Sequence, residues 1–220
     1  DPDATPCVLL VHNEMAVLPE LLDHYRRCGP VPFLVVDDRS TDATPAFLAA
    51  QPDVTVFHPA EGTRYSTHKR GWRGTLLDAV AEGRWALAPD ADEFLHYPGL
   101  LDGGLPARLS DLDREGAEAL HATMVDMYAD RPLADHIYAG GGLLDAFPLF
   151  DGPDSYRLLA SPTRFAANYP SPRALVFGGL RERLFNRHAN PDPLQSWLLR
   201  HFARLDGSYR GAHGDATERR

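Results

Sequence analysis

The sequence carries little basic charge for its length, and this deficit limits the ligands that it can bind. Its 220 residues include 22 Lys and Arg against 31 Asp and Glu, which gives a formal net charge of −9. The basic residues form no block or stripe. Proteins that bind nucleic acid concentrate Lys and Arg on one surface, so we expect no nucleic acid partner. An anionic ligand would have to be held locally, by a metal ion or a few placed basic groups.

Long apolar runs, an export leader and a disulfide framework are also missing. No stretch of about 18 apolar residues is present, so we predict no membrane span. Asp1-Pro2-Asp3 has neither the basic nor the apolar region of a signal peptide. Cys7 and Cys28 suit two buried free thiols in a reducing compartment better than a disulfide. We therefore expect a cytoplasmic protein, with a peripheral membrane location left open.

The first half of the chain alternates between apolar runs and helical patterns. A composition that is 44% hydrophobic and 24% charged is typical of a globular protein with a buried core. The apolar runs predict strands at 7–14, 32–38, 53–59 and 84–90. Helices are predicted between them, at about 18–25, 40–50 and 66–82. This order predicts an α/β fold with a mainly parallel sheet flanked by helices.

The second half of the chain is less regular. A helix is predicted at 105–115, a strand at 117–128 and a last helix at 193–206. Residues 173–185 have the pattern of a strand, a glycine turn and a basic segment. Between them, residues 129–172 are rich in Pro, Gly, Asp and aromatic residues. A stretch of this length with little periodicity is more often a functional loop region than a linker.

Two acidic clusters directly follow predicted strands. Asp37 and Asp38 end the second strand, while Asp90, Asp92 and Glu93 follow the fourth. Ligands of open parallel sheets bind at the carboxyl ends of the strands, so both clusters are predicted to face one crevice. Grouped carboxylates suit a hard divalent cation whose shell is completed by substrate phosphates. The alternative is that the acids belong to ordinary polar turns.

Three segments of the first half carry the motifs described so far: VHNEMAVLPELLDHYRRCG, FLVVDDRSTDAT and WALAPDADEFLHYP. Together they resemble glycosyltransferase family 2, in the branch with an Asn-Glu start and a DxDE motif. The similarity covers residues 7–98 and continues more weakly at 124–130 and 177–185. Each motif alone is weak, but three in the right order, each at a strand end, form a fairly specific signal.

The resemblance implies a fold and an activity for the whole chain. The fold would be of the GT-A type, a Rossmann-like sandwich in a single domain, 1–220, with an irregular C-terminal acceptor region. Residues 7–98 would bind the nucleotide sugar, and residues 99–220 would bind the acceptor. The activity would be inverting transfer of a sugar from a UDP-, GDP- or dTDP-linked donor. The acceptor would be a glycan, a lipid-linked molecule or a small molecule.

Carried onto this sequence, the resemblance also implies roles for single residues. Donor-binding positions would be Asn13, Glu14, Asp37, Asp38 and Asp90. Asp92 would ligate Mn²⁺ or Mg²⁺ directly, with Asp90 near the metal and His213 completing the shell. An imidazole ligand would shift the preference toward Mn²⁺. A His so near the end of the sequence is equally typical of a solvated tail.

The catalytic base is not located by the motifs. Inverting transfer needs a carboxylate that takes the proton of the acceptor hydroxyl. Asp126, Asp151 and Glu93 are the candidates, and the Glu-Asp pair that often supplies the base elsewhere in the family is not evident. Glu93 could instead support the metal ligands.

Several basic residues are candidates for holding the donor phosphates. Arg181 and Arg183 follow a glycine pair and could clamp the diphosphate or an acidic acceptor, because a guanidinium matches phosphate oxygens. A solvated strand face explains them equally well. On the third helix, one or more of three residues could reach the phosphates, although such residues are more often simply exposed: Lys69, Arg70 and Arg73. On the same helix, packing explains Tyr65 and Trp72 better than stacking on a sugar.

Two other functions remain as alternatives. A phosphatase of the haloacid dehalogenase type would use Asp90 and Asp92, but the segment DADEF lacks the usual Thr or Val two residues on. No downstream Ser/Thr or Lys motif fits that class well. A nucleotidyltransferase or a sugar-nucleotide-binding protein of similar fold is the second alternative. A nucleotidyltransferase usually has an early Gly-rich phosphate loop, and the segment LLVHNEMA has none.

Overall fold

A computed structural model describes residues 4–120, 122–160 and 174–182. The described chain forms two compact units. One unit comprises the residues up to Glu118 together with Tyr138–Leu143, and the other comprises Ala119–Ile137 and the residues from Leu144 onward. The division after Glu118 places the predicted nucleotide-sugar half, 7–98, within the first unit.

The first unit is a mixed α/β structure whose elements alternate as the sequence predicts. Its strands and helices are β1 (Cys7–Val11), α1 (Leu18–Cys28), β2 (Phe33–Asp37), α2 (Thr44–Ala49), β3 (Val54–Phe57), α3 (Tyr65–Val80) and α4 (Leu105–Arg114), with a 3₁₀ turn at Leu100–Asp102. The α2 helix begins at Thr44, after the polar residues that were predicted to open its segment, and those residues form a loop described below. The other helices agree with the predictions to within a few residues.

The three strands form a parallel sheet in the order β1-β2-β3. Cys7 lies beside Phe33, and Phe33 lies beside Val54, so the strands start level with one another. Every residue of β1 is buried, as expected for a strand with helices on both faces. The prediction of a parallel sheet flanked by helices is therefore confirmed.

The predicted fourth strand at 84–90 is reduced to one parallel bridge between Leu87 and Cys7. Leu87 N donates to Pro6 O, and Val8 N donates to Leu87 O, both at 2.8 Å. The next bond of such a ladder would need an N–H at Pro89, which a proline lacks, and the pairing stops there. The prediction of a full strand was wrong, but its place beside β1 gives the order Leu87 segment, β1, β2, β3.

One face of this sheet packs against α1. Leu18, Leu21, Leu22 and Tyr25 lie on the buried side of α1, at the spacing that predicted the helix. Gly29 then ends the helix with a φ of 155°, and a Cβ there would lie 3.0 Å from the side chain of Pro106 in α4. The glycine thus lets α4 approach α1, and the leucines of α4 join the same core.

The α3 helix packs against β1. None of the described α3 residues is fully buried, and none belongs to the core around α1. Because Val8 and Leu10 alternate with the β1 residues of that core and are also buried, we place α3 on the opposite face of the sheet. The chain therefore reverses its winding between β3 and the Leu87 segment.

The second unit contains two small antiparallel sheets. One pairs β4 (Met127–Tyr128) with β5 (Leu149–Phe150), and the other pairs β6 (Tyr156–Ala160) with β7 (Ala174–Gly178). Two short helices, α5 (Leu143–Ala146) and α6 (Gly179–Arg181), and 3₁₀ turns at Leu133–Asp135 and Pro153–Ser155 complete the elements described after α4.

The strand predicted at 117–128 is present only as the two residues of β4. Leu120, Met124 and Val125 in the same run are exposed, so the apolar residues do not form a buried strand face. The strand predicted near 173 is present as β7 and is followed by α6. The helix predicted at 193–206 lies outside the described residues.

Two expectations from composition can be compared with the structure. Cys7 and Cys28 are both buried free thiols, as predicted. Burial raises the pKa of each thiol, which keeps both protonated and unreactive near neutral pH. None of the described helices combines the length and the apolar character needed to cross a bilayer.

Candidate functional site

The loops after β1 and β2 are joined through Asn13. Its amide oxygen accepts hydrogen bonds from Thr41 N at 2.7 Å and Asp42 N at 3.2 Å, and its own N–H donates to Ser40 Oγ at 2.9 Å. Asn13 has a φ of 58°, a left-handed conformation that Asn tolerates better than most residues. Asn13 therefore holds the β2–α2 loop in place, which is a structural role that the motif alone did not indicate.

The end of β2 presents two carboxylates with different surroundings. Asp37 is 3% exposed and accepts a hydrogen bond from Ser40 N at 3.0 Å. Asp38 forms an ion pair with Arg39, and its backbone carbonyl accepts from His12 Nδ1 at 2.7 Å. His12 is exposed. The arrangement fixes Asp37 at the carboxyl end of the sheet.

The acidic turn, residues 90–93, is closed by two reciprocal hydrogen bonds. Glu93 N donates to Asp90 O at 3.0 Å, and Asp90 N donates to Glu93 Oε2 at 2.9 Å. Ala91 is buried beneath the turn, whereas Asp92 is exposed. The Glu93 carboxylate therefore supports the turn, which is one of the two roles that the sequence left open for it.

Two side chains of α1 hold the turn and the residues after it from the core side. The Tyr25 hydroxyl donates to Glu93 O at 2.9 Å and accepts from Leu95 N at 3.2 Å. His24 Nε2 donates to Leu95 O at 2.8 Å, and its ring lies edge-on to Phe94. Burial lowers the pKa of His24 and raises the pKa of Tyr25. Both groups are therefore neutral near pH 7, and the turn is held by uncharged hydrogen bonds.

Arg73 of α3 lies beside the acidic turn. Its guanidinium forms an ion pair with the Asp90 carboxylate, and the two side chains are 28% and 48% exposed. Arg73 is thus half-buried and engaged, rather than simply exposed. Its Nε–H is buried and has no hydrogen-bond partner in the part of the chain that the structure describes. Burial raises the pKa of Tyr65, and the charge of Asp90 raises it further.

Glu14 brings a second loop to the acidic turn. Burial raises its pKa, and the neighbouring charges of Asp92 and Asp42 raise it further, while His12 opposes them. Glu14 follows β1, and Asp92 follows the Leu87 segment beside β1, so the two carboxylates follow adjacent strand ends. The second predicted cluster, at Asp37, lies one strand further along the sheet, because β1 separates β2 from the Leu87 segment.

This edge of the sheet is also where the winding of the chain reverses. In open α/β sheets, the crevice at such a switch point, outside the carboxyl ends of the strands, is where ligands bind. Glu14, Asp90 and Asp92 follow the two strand ends that flank the switch point. The sequence predicted acids at strand ends, and the structure adds that they lie at the position where this class of sheet binds its ligands.

The residues at the switch point fit a hard divalent cation. No group of three or more His, Cys, Asp or Glu side chains is arranged around a common metal position within the described residues. Mg²⁺ and similar ions, however, usually bind through one or two carboxylates and complete their shell with water and phosphate oxygens. Asp90 and Asp92, on one turn, offer those two carboxylates. Glu14 and Asp92 also repel each other, and a bound cation would relieve this repulsion.

The remaining predicted residues lie in the second unit or outside the described part. Asp126 is half-buried beside β4, and the Asp151 carboxylate accepts a hydrogen bond from Tyr128 at 2.9 Å. Arg181 belongs to α6, but its side chain is outside what the structure describes. Arg183 and His213 lie outside the described residues.

Two contributors to the site were not recognised in the sequence. Tyr25 lies at the helical spacing that predicted α1, but nothing local indicated that its hydroxyl bonds a turn 68 residues later. The sequence signal that could have indicated this bond is a Tyr on the buried face of a helix, because a buried hydroxyl needs a hydrogen-bond partner. Nothing in the sequence indicated the bond from His24 to Leu95 O either. Tyr65 was predicted to pack, and its ring lies edge-on to that of Trp72.

Comparison with known proteins adds no family assignment. A scan against models of known protein families finds no match, and a search of curated proteins finds no significant relative. The resemblance to glycosyltransferase family 2 therefore stays a prediction, and the interpretation of the site depends on its geometry.

Proposed function

We propose that the chain is a metal-dependent glycosyltransferase. In this proposal it moves a sugar from a nucleoside-diphosphate donor to an acceptor hydroxyl with inversion, and its fold is of the GT-A type. The main support is that Glu14 and the acidic turn follow the two adjacent strand ends at the switch point of a parallel sheet. Such a site has the carboxylates that a cation and a diphosphate require together.

The proposed roles follow the positions of the residues. Asp90 and Asp92 would hold Mn²⁺ or Mg²⁺ together with the donor diphosphate. When bound, such a cation stabilises the negative charge that develops on the leaving diphosphate. Asp37, buried at the end of β2, is proposed to contact the base or the ribose. Glu93 and Tyr25 would keep the turn in its binding geometry through the hydrogen bonds to its backbone.

The base that accepts the proton of the acceptor hydroxyl is proposed to come from Asp126 or Asp151. Glu93 is a weaker candidate, because its carboxylate already accepts the N–H of Asp90. The acceptor would be a glycan, a lipid-linked molecule or a small molecule. A cytoplasmic location is proposed because sugar nucleotides are made and used in that compartment.

The proposal is tested by calorimetry with UDP, GDP and dTDP, each with and without Mn²⁺. We expect one nucleotide to bind, and to raise the melting temperature, only when the metal is present. Asp92→Ala should abolish this binding. Asp78→Ala, which removes an exposed acid of α3, should leave it unchanged.

Two results would contradict the proposal. Unchanged nucleotide binding in Asp92→Ala would remove the acidic turn from the site. Hydrolysis of a generic aryl phosphate that is lost in Asp90→Asn would instead favour a phosphatase, in which an aspartate attacks phosphorus directly.

A further inference from the structure

The contact between Arg73 and Asp90 joins α3 to the acidic turn. Asp90 is one of the two carboxylates that the proposed cation would need, and Arg73 occupies one of its oxygens. The two residues are 17 positions apart in the chain and lie on different elements. Neither side chain is fully buried, so a ligand in the crevice can reach both.

Arg73 uses only part of its hydrogen-bonding capacity in this contact. A guanidinium has five N–H donors arranged as a planar fork. Arg73 pairs with Asp90 through the terminal Nη2, whereas its Nε–H is buried without a partner among the described residues. Buried donors are rarely left unpaired in native proteins unless a ligand or water completes them. Two phosphate oxygens can engage Nε and a terminal nitrogen together, which would supply the missing acceptor.

The other two basic residues considered on α3 are placed differently. The Lys69 ammonium lies over the ring of Tyr65, 5.0 Å from its centroid. Arg70 is exposed. For Arg73, the structure gives a direct ion pair with the acidic turn.

We propose that Arg73 is a donor-binding residue that exchanges Asp90 for the phosphate oxygens of the nucleoside diphosphate. This role rests on the proposed function and adds a named phosphate ligand to it. While it is paired with Asp90, Arg73 competes with a divalent cation for that carboxylate. Once nucleotide is present, the released guanidinium binds the diphosphate. Arg73 thus opposes the binding of metal alone but favours the binding of metal with nucleotide.

The two effects have opposite signs, and Arg73→Gln separates them. Binding of Mn²⁺ alone is measured from the paramagnetic resonance signal of the free ion. Binding of UDP, GDP or dTDP, whichever binds the wild type, is measured by calorimetry in saturating Mn²⁺. We expect R73Q to bind Mn²⁺ alone about threefold more tightly, because the competing charge is gone. The same variant should bind the nucleotide about tenfold or more weakly, since a charged hydrogen-bonding partner of the phosphate is lost.

Arg84→Gln is the matched control, because it removes the same charge from an exposed residue just after the same helix, where Arg84 Nε donates to Val80 O. Both affinities should remain at the wild-type level in R84Q. Arg73→Lys provides an independent measurement if R73Q is poorly folded. Its ammonium keeps the charge but cannot form the two parallel bonds of a guanidinium, so nucleotide binding should still weaken by about threefold.

The possible outcomes distinguish this role from the proposed function. If the wild type binds no nucleoside diphosphate with Mn²⁺, both the proposed function and the role of Arg73 are wrong. If the wild type binds and R73Q changes neither affinity, only the role of Arg73 is wrong. A parallel fall of both affinities in R73Q would mean that Arg73 merely holds the site together, which also overturns the exchange.

Discussion

The hydroxyl of Tyr25 donates a hydrogen bond to the backbone carbonyl of Glu93 at 2.9 Å, and so ties α1 to the acidic turn. The same oxygen accepts the N–H of Leu95 at 3.2 Å. Tyr25 is 2% exposed, so water cannot take over either bond. One core side chain therefore fixes the backbone on which Asp90 and Asp92 are placed.

Replacing Tyr25 by Phe should destabilise the protein by about 1–3 kcal/mol, because two backbone groups lose their partner in a buried place. The free energy of unfolding in urea measures this loss. Metal-dependent nucleotide binding should also weaken, since the turn gains freedom. Tyr97→Phe is the control, because its hydroxyl donates a single bond, to Gly104 O at 3.2 Å, from a half-buried position. If Tyr25→Phe is as stable as Tyr97→Phe, the hydrogen bonds of Tyr25 to Glu93 and Leu95 do not stabilise the protein, which would contradict this prediction.

Arg26 bonds two acidic partners, Asp53 and Asp23, and we expect them to contribute unequally to the free energy of unfolding. It donates to both oxygens of Asp53, from Nε at 2.8 Å and from Nη2 at 2.7 Å, whereas Asp23 receives one bond at 3.1 Å and is 75% exposed. We expect Asp53→Asn to cost about 1 kcal/mol of unfolding free energy and Asp23→Asn to cost almost nothing. Equal losses in the two variants would show that the bidentate geometry is unimportant.

The same pair predicts a pH dependence. The hydrogen bonds from Arg26 lower the pKa of Asp53 below its ordinary 3.8. The stabilisation is therefore complete above about pH 3.8 and is lost as the pH falls from there through the folded pKa. The stability difference between wild type and Asp53→Asn should shrink over that acidic range. Unfolding measured in urea at several pH values tests this.

His24 predicts a second pH effect, at milder acidity. Burial lowers its pKa below 6.5, an effect reinforced by Arg27 and His96 and opposed by the bond to Leu95 O and by Glu20. Because the fold favours the neutral ring, its contribution is complete above pH 6.5 and is lost as the pH falls toward the folded pKa. His24→Gln keeps a donor for Leu95 O but does not titrate. Its stability should fall less than that of the wild type between about pH 7 and pH 5.

Asn13 allows backbone strain to be separated from lost hydrogen bonds. Asn13→Gly and Asn13→Ala both remove the amide that binds Thr41 and Asp42. Glycine accepts the φ of 58° without strain, whereas alanine does not. Asn13→Ala should therefore be less stable than Asn13→Gly by about 1 kcal/mol in urea unfolding. An equal or reversed order would mean that the loop relaxes out of the left-handed conformation.

The strands and helices of the first unit could be predicted because their patterns are local. The burial of α1, for example, follows from apolar residues spaced three and four apart. The fourth strand was overestimated for a non-local reason. Pro89 is present in the sequence, but its effect depends on which strand lies beside it. Because that neighbour is β1, the ladder would need an N–H at residue 89, and a proline has none.

The site was predictable to a similar extent. The acids at strand ends were recognised because each follows an apolar run. The pairing of Arg73 with Asp90 was not, because it depends on α3 covering β1 and on the Leu87 segment lying beside it. In the second unit, β4 and β5 have two residues each, which is too few for an alternation of apolar and polar residues to be recognised in the sequence.

Asp92 is the residue at which binding and stability should conflict most clearly. Burial raises the pKa of Glu14 and the charge of Asp92 raises it further, so at neutral pH the two carboxylates oppose each other in the absence of a cation. Asp92→Asn removes that repulsion and should raise the melting temperature slightly, on the order of 1 °C. If Asp92 ligates the metal as proposed, the same change should abolish nucleotide binding in Mn²⁺.

The control for this prediction is Asp78→Asn, which neutralises an exposed acid elsewhere in the first unit. It should alter neither the melting temperature nor nucleotide binding. A lower melting temperature in Asp92→Asn would mean that Asp92 stabilises the turn and that its placement has a structural cause. A higher one together with lost binding would mean that Asp92 costs stability in the free protein, as expected of a residue retained for its ligand.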